Sequence, residues 1–193
     1  MRSTTKSLAV TASMLLALVL SGVAAGATQN ASPKKWVSTF CGSVLTWEHT
    51  VKSDSAKLVK EVNSLKKGGK VDLPAAKRKL IGFLGGLVKS TNTMIGKIKA
   101  VGAPDVKNGA KIQKGVLAAF GQVAKAFKDG QNSAKALPTN NAKAFSKASL
   151  ALAQAIQSST NRIGAAFTAL SKYSSKPLDD AAKNTPVCTK LNG

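Results

Sequence analysis

Four stretches of about 30 residues place their apolar side chains at steps of three, four and seven. That spacing leaves few alternatives to a set of long amphipathic helices. In the first, Trp36, Phe40, Val44, Trp47, Val51, Leu58, Val62 and Leu65 share one face. In the second the stripe is Leu73, Leu80, Leu84, Leu87, Thr91, Met94, Ile98 and Val101. The third carries Gln113, Val116, Phe120, Val123, Phe127, Ala134 and Leu137. The fourth carries Phe145, Ser149, Leu152, Ile156, Ser159, Ile163, Ala166, Leu170 and Tyr173. No run of alternating β-branched residues reads as a strand.

Punctuation falls between the stripes. Ser32-Pro33 gives the first helix a capping hydroxyl and a first-turn proline, and Gly68-Gly69 ends it. Ser53-Asp54-Ser55 leaves open whether this helix is continuous. Asp72 and Pro74 open the second helix, and Gly102-Ala103-Pro104 stops it. The third is expected to start near Pro104-Asp105 with Asp105 as a cap, to fray at Gly130 and to end at Pro138. The fourth starts at Thr139 or Asn140 and closes at Ser174, Ser175 and Pro177, with a short helix over 178–183 behind it. Asp179 and Asp180 are placed to cap that last helix. Similar lengths and short connections predict an all-α, up-down-up-down four-helix bundle with a short C-terminal helix.

The chain opens with the features of a secretory signal peptide. Arg2 and Lys6 precede an apolar run from Leu8 to Ala25, and Ala25-Gly26-Ala27 supplies the small residues of a cleavage site. Residues 1–27 are read as that signal and 28–193 as one domain, with no transmembrane segment after cleavage. In an exported protein the two cysteines, Cys41 and Cys188, are expected to be joined. Cys41 lies near the start of helix one, and an even-numbered bundle returns its fourth helix to that end, so Cys188 comes within reach. In the chain-entropy view so large a loop contributes on the order of 4 to 5 kcal/mol.

Three segments together carry a resemblance. They are Trp36-Val37-Ser38-Thr39-Phe40-Cys41-Gly42 with Trp47, then the stretch from Gly102 to Gly109, then Ala181-Ala182 with Pro186-Val187-Cys188. The chain is similar in these to a group of small secreted or lipid-anchored helical proteins of high-GC Gram-positive bacteria. The group has no established activity, so the resemblance implies a fold and an export route but no functional residues. This chain departs from the lipid-anchored members in having no cysteine at its cleavage region, and it is richer in lysine.

No set of residues assembles an active site. His49 is the single histidine, so a histidine metal site lacks its ligands, a histidine-activated serine would have His49 as its sole histidine base, and paired cysteines leave no thiol. No metal and no cofactor are expected, and the chain reads as a non-enzyme. Gly82 and Gly86 stack on one helix face, which suits either close helix approach or a cavity for a small apolar ligand.

The charge is the main functional signal. After the signal, 27 basic residues stand against 8 acidic ones, a net +19, and only Arg78 and Arg162 are arginines. Lysine is a hydrated point charge without the fixed fork of arginine, so it favours diffuse attraction to polyanions over shaped recognition. Lys107, Lys111, Lys114, Lys125, Lys128 and Lys135 recur on the face of helix three opposite Val116, Phe120, Val123 and Phe127. They are the expected polyanion-binding residues, for an anionic envelope polymer, a membrane surface or extracellular nucleic acid read without sequence specificity. A carrier of a small apolar ligand and an interaction module without a ligand are the alternatives. The sequence is silent on the oligomeric state.

Overall fold

A hydroxyl and a carboxylate start the first two helices. The computed structural model describes residues 30–67, 70–173 and 175–191, without the side chains of Lys67 and of 159–171. The expected signal peptide, the Gly68-Gly69 stop and the Ser159, Ile163, Ala166 and Leu170 side chains lie outside this description. Helix α1 spans Pro33–Ser64, with the Ser32 hydroxyl accepting from the Lys35 amide at 3.4 Å. It runs unbroken through Ser53-Asp54-Ser55. Helix α2 spans Leu73–Ala100, and the Asp72 carboxylate accepts from the Ala75 amide at 2.9 Å. Between them Lys66–Lys67 (β1) pairs antiparallel with Lys70–Val71 (β2), a two-residue hairpin that the apolar spacing did not signal. Helix α1 therefore ends at Ser64, before the glycines, because the backbones of Lys66–Lys67 and Lys70–Val71 pair across the hairpin instead of along a helix.

Helix α3 spans Gly109–Lys135, α4 spans Ala142–Leu170 and continues into a 3-10 turn at Ser171–Tyr173, α5 spans Lys176–Lys183 and α6 spans Pro186–Thr189. The start of α3 corrects the expectation of Pro104-Asp105. Those residues are committed elsewhere. The Ala31 amide donates to the Ala103 carbonyl at 2.7 Å, and the Asp105 amide donates to the Ala31 carbonyl at 2.8 Å. Asp105 is not the N-cap of α3, a position that Asn108 holds. The chain turns into α3 through Asn108 in the left-handed region, φ 64°, a conformation asparagine tolerates better than most residues. Gly109 follows because a β-carbon there would collide with the Pro104 carbonyl oxygen.

Gly130 does not fray α3. It is buried against α4, where a β-carbon would lie 3.2 Å from Cδ1 of Ile156. At the end of α3 the Lys77 ammonium donates to the Leu137 carbonyl at 2.9 Å, supplying a partner to a helix end. Asn141, beyond the expected Thr139 or Asn140, caps α4 by accepting from the Ala144 amide at 3.0 Å. Neither Asp179 nor Asp180 is the N-cap of α5. Asp179 lies in the first turn, and Asp180 pairs with Lys176 at 2.6 Å.

The main helix contacts are α2 with α3, α3 with α4, and α1 with α2, while α5 and α6 pack against α1. The core gathers Trp36, Leu84, Leu87, Met94, Ile98, Val116, Phe120, Val123 and Leu152, with Phe40, Trp47 and Ile156 half-buried beside it. Phe120 is its hinge point: the Phe40 and Trp47 rings each lie 6.3 Å from its centroid. Trp36 stacks on Phe40 at 5.3 Å. Both indoles are also hydrogen-bonded. Trp36 donates to Gln113 Oε1 at 2.8 Å, and Trp47 donates to Thr91 Oγ1 at 3.0 Å. Cys41 and Cys188 are joined, with α-carbons 5.1 Å apart, so α6 is bonded covalently to the early turns of α1.

Two substitutions test these assignments. Phe120→Ala is expected to cost about 3 to 5 kcal/mol in chemical denaturation, since it empties the contact shared by three aromatic rings. A value below about 1 kcal/mol would show that α3 is phased differently. Gly109→Ala should cost about 1 to 3 kcal/mol through the clash with Pro104. Gly42→Ala, where a β-carbon meets nothing within 4 Å, should instead be neutral or gain up to about 1 kcal/mol.

Candidate polyanion-binding face

Five of the six lysines picked out from the sequence lie on α3, and all six are exposed. Lys107 is the exception to the helix: it belongs to the turn that precedes Gly109. The row is not uniform. Between Lys114 and Lys125 the outer face carries Ala118, Gly121 and Gln122, a lysine-free stretch of about 16 Å along the axis. Lys125 pairs with Asp129 at 2.6 Å, and Lys128 donates to Gln131 Oε1 at 3.3 Å. The half of the row towards Lys135 is thus partly engaged within its own helix.

Around the other half stand residues that linear spacing could not reveal. Lys99, near the C-terminal end of α2, and Lys114 line one shallow cleft of about 360 Å³ over Gly102, Ala103 and Ala110. The Lys111 ammonium stands 6.0 Å from the centroid of the Tyr173 ring, and that of Lys172 stands 5.1 Å from it. Tyr173 closes α4, so the turn of three helices brings Lys99, Lys111, Lys114 and Lys172 to one end of the molecule. Tyr173 is half-buried and packed on the core, and its ring face offers two lysines a weak cation–π support. None of these four ammonium groups makes an ion pair with a described carboxylate. Lys99 and Lys172 were hidden because each sits at the end of a helix other than α3. The signal available was weak: two helix ends, each rich in lysine.

The glycine pair behaves differently from expectation. The tight contact belongs to its neighbour Gly85, where a β-carbon would come 2.6 Å from Nε2 of Gln131. A β-carbon at Gly82 meets nothing within 4 Å, and one at Gly86 lies 3.8 Å from a carboxylate oxygen of Asp54. These two glycines line a groove of about 330 Å³ between α1 and α2, and its rim is charged: Asp54, Glu61, Arg78 and Lys79. Glu61 and Lys79 pair at 3.3 Å.

A second groove of about 250 Å³ lies further along the same two helices, floored by Trp47 and Met94. His49 is exposed on α1, and both cysteines are bonded to each other. Among the described residues no three histidine, cysteine, aspartate or glutamate side chains converge on a point. No described helix is long and apolar enough to cross a membrane. No protein-family model, curated protein or solved structure matches this chain.

Proposed function

We propose that this is an exported, non-enzymatic binding protein that associates through lysine with polyanions of the cell envelope or its surroundings. The observation that carries the reading is the gathering of Lys99, Lys111, Lys114 and Lys172 from three helices without ion-paired acids. Like charges held together repel, and that repulsion costs stability unless an anion relieves it. The scaffold in this reading is an up-down-up-down four-helix bundle, with α5 and α6 tied by the disulfide to the early turns of α1. Export accords with that disulfide, which persists in oxidising compartments. The polyanion is preferred to a small apolar ligand because the groove beneath Gly82 and Gly86 is rimmed by charge. Recognition through lysine makes charge density, not base or headgroup identity, the main selector.

The test is the salt dependence of binding. Purified protein should bind DNA, anionic vesicles or an acidic polymer at low salt, and log affinity should fall linearly with log salt concentration. Replacing Lys99, Lys111, Lys114 and Lys172 by Gln keeps helix propensity and should reduce the slope on DNA by about 0.9 for each phosphate no longer neutralised. Replacing Lys125, Lys128 and Lys135 by Gln should reduce it less, since Lys125 and Lys128 already have partners. Equal effects from the two sets would mean that charge is read over the whole surface. Absence of polyanion binding at low salt would end the proposal.

A further inference from the structure

The groove over Gly82 and Gly86 carries charge of both signs, and its two ends differ in sign. Helices α1 and α2 line it in antiparallel register, with Asp54 over Gly86 and Glu61 paired to Lys79. Arg78, Gly82 and Gly86 follow at steps of four on α2, so they share one face. The Asp54 carboxylate therefore marks one end and Arg78 the other, eight residues or about 12 Å apart along the helix axis. Between them Leu58 and Phe83 supply apolar surface, while Lys57 and the Glu61–Lys79 pair supply ammonium and carboxylate groups. A β-carbon at Gly82 would meet nothing within 4 Å, so the floor is open to an incoming chain.

Neither end group is used by the fold. Asp54 is half-buried, yet among the described residues no donor and no cation pairs with it. A carboxylate partly withdrawn from water keeps its acceptor capacity for whatever enters the groove. Arg78 is exposed and likewise has no partner among the described residues. In a chain whose positive charge is almost all lysine, it sets a planar fork at the far end, the group that holds a carboxylate by two parallel bonds. A polyanion is disfavoured here, because Asp54 and Glu61 repel it. A matched ligand brings an ammonium for Asp54, a carboxylate for Arg78, and donors and acceptors in between for Glu61 and the lysines. An extended peptide of three or four residues has those groups in that order and spans roughly 10 to 14 Å. We infer that this α1–α2 groove binds a short peptide with free ends, its amino group at Asp54 and its carboxylate at Arg78. The site is separate from the lysine cluster around Tyr173 and does not depend on polyanion binding.

Titration calorimetry compares trialanine and tetraalanine having both ends free with the same peptides N-acetylated or C-amidated. The free peptides should bind the parent protein. Blocking either end should weaken binding by about five- to tenfold, the loss of one charge-assisted contact. Asp54→Asn should weaken the free peptides by a similar factor and leave the acetylated ones unaffected, since that contact is already gone. Arg78→Gln should weaken the free peptides and spare the amidated ones for the same reason. Gly82→Leu improves helix propensity and its β-carbon meets no neighbour, so thermal unfolding should come no earlier than in the parent. Its side chain fills the groove, however, and should abolish peptide binding. The linear ω-aminooctanoate carries the same end groups without amides and should bind at least about fivefold more weakly than tetraalanine. Failure of both free peptides to bind the parent overturns the inference. So does equal affinity for free and blocked peptides, undiminished binding by folded Gly82→Leu, or equal binding of ω-aminooctanoate.

Discussion

Two indole N–H groups set the register on which the helices depend. Trp36 and Trp47 lie three turns apart on α1, and each must find an acceptor once its ring is drawn into the core. Gln113 on α3 serves the first and Thr91 on α2 the second. Gln113 then donates its own amide to the Ile98 carbonyl at 2.8 Å, and Thr91 donates to the Leu87 carbonyl at 2.7 Å. Apolar contacts alone tolerate sliding by a turn, because one leucine resembles another at the next position. A buried donor left without its acceptor costs on the order of 1 to 3 kcal/mol, so a slipped arrangement would cost twice over. The polar pair therefore specifies what the aromatic cluster around Phe120 stabilises.

That division explains what could be read from the sequence. The four long helices, the apolar faces of the first three, the Ser32 and Asp72 caps and the cysteine pairing were legible because each rests on local spacing or on a count of two. Thr91 and Gln113 fell on the correct faces, but their roles depend on partners 44 and 77 residues away. The start of α3 was misplaced because a proline–aspartate pair looks like a helix start until Ala31 claims the backbone around it. The two-residue hairpin was invisible for a related reason. Three lysines and one valine carry no apolar alternation, so nothing in their spacing signals the pairing of Lys66 with Val71 and Lys67 with Lys70.

The candidate site was legible in kind and not in place. Lysine excess pointed to polyanions, and the α3 row was exposed as its phase required. Its uneven character came from features beyond periodicity. Asp129 sits one turn after Lys125, and Tyr173 returns from the far end of α4 to stand under Lys111. The glycine pair shows the opposite case. Spacing placed Gly82 and Gly86 on one face, yet the close contact is made by Gly85, which points towards Gln131. A motif can be read correctly as a pattern while the side chains that meet it decide what it does.

The bond between Cys41 and Cys188, 147 positions apart, turns most of the chain into a closed ring with two tails. Tension applied to those tails passes from the early turns of α1 through the sulfur bridge to α6. It bypasses α2, α3, α4 and the hairpin entirely. A single backbone cut anywhere inside the ring likewise leaves one covalent molecule, which can re-close around its core. For a chain anchored at one end or exposed to proteases, the lysine-bearing helices would carry no load and survive a nick.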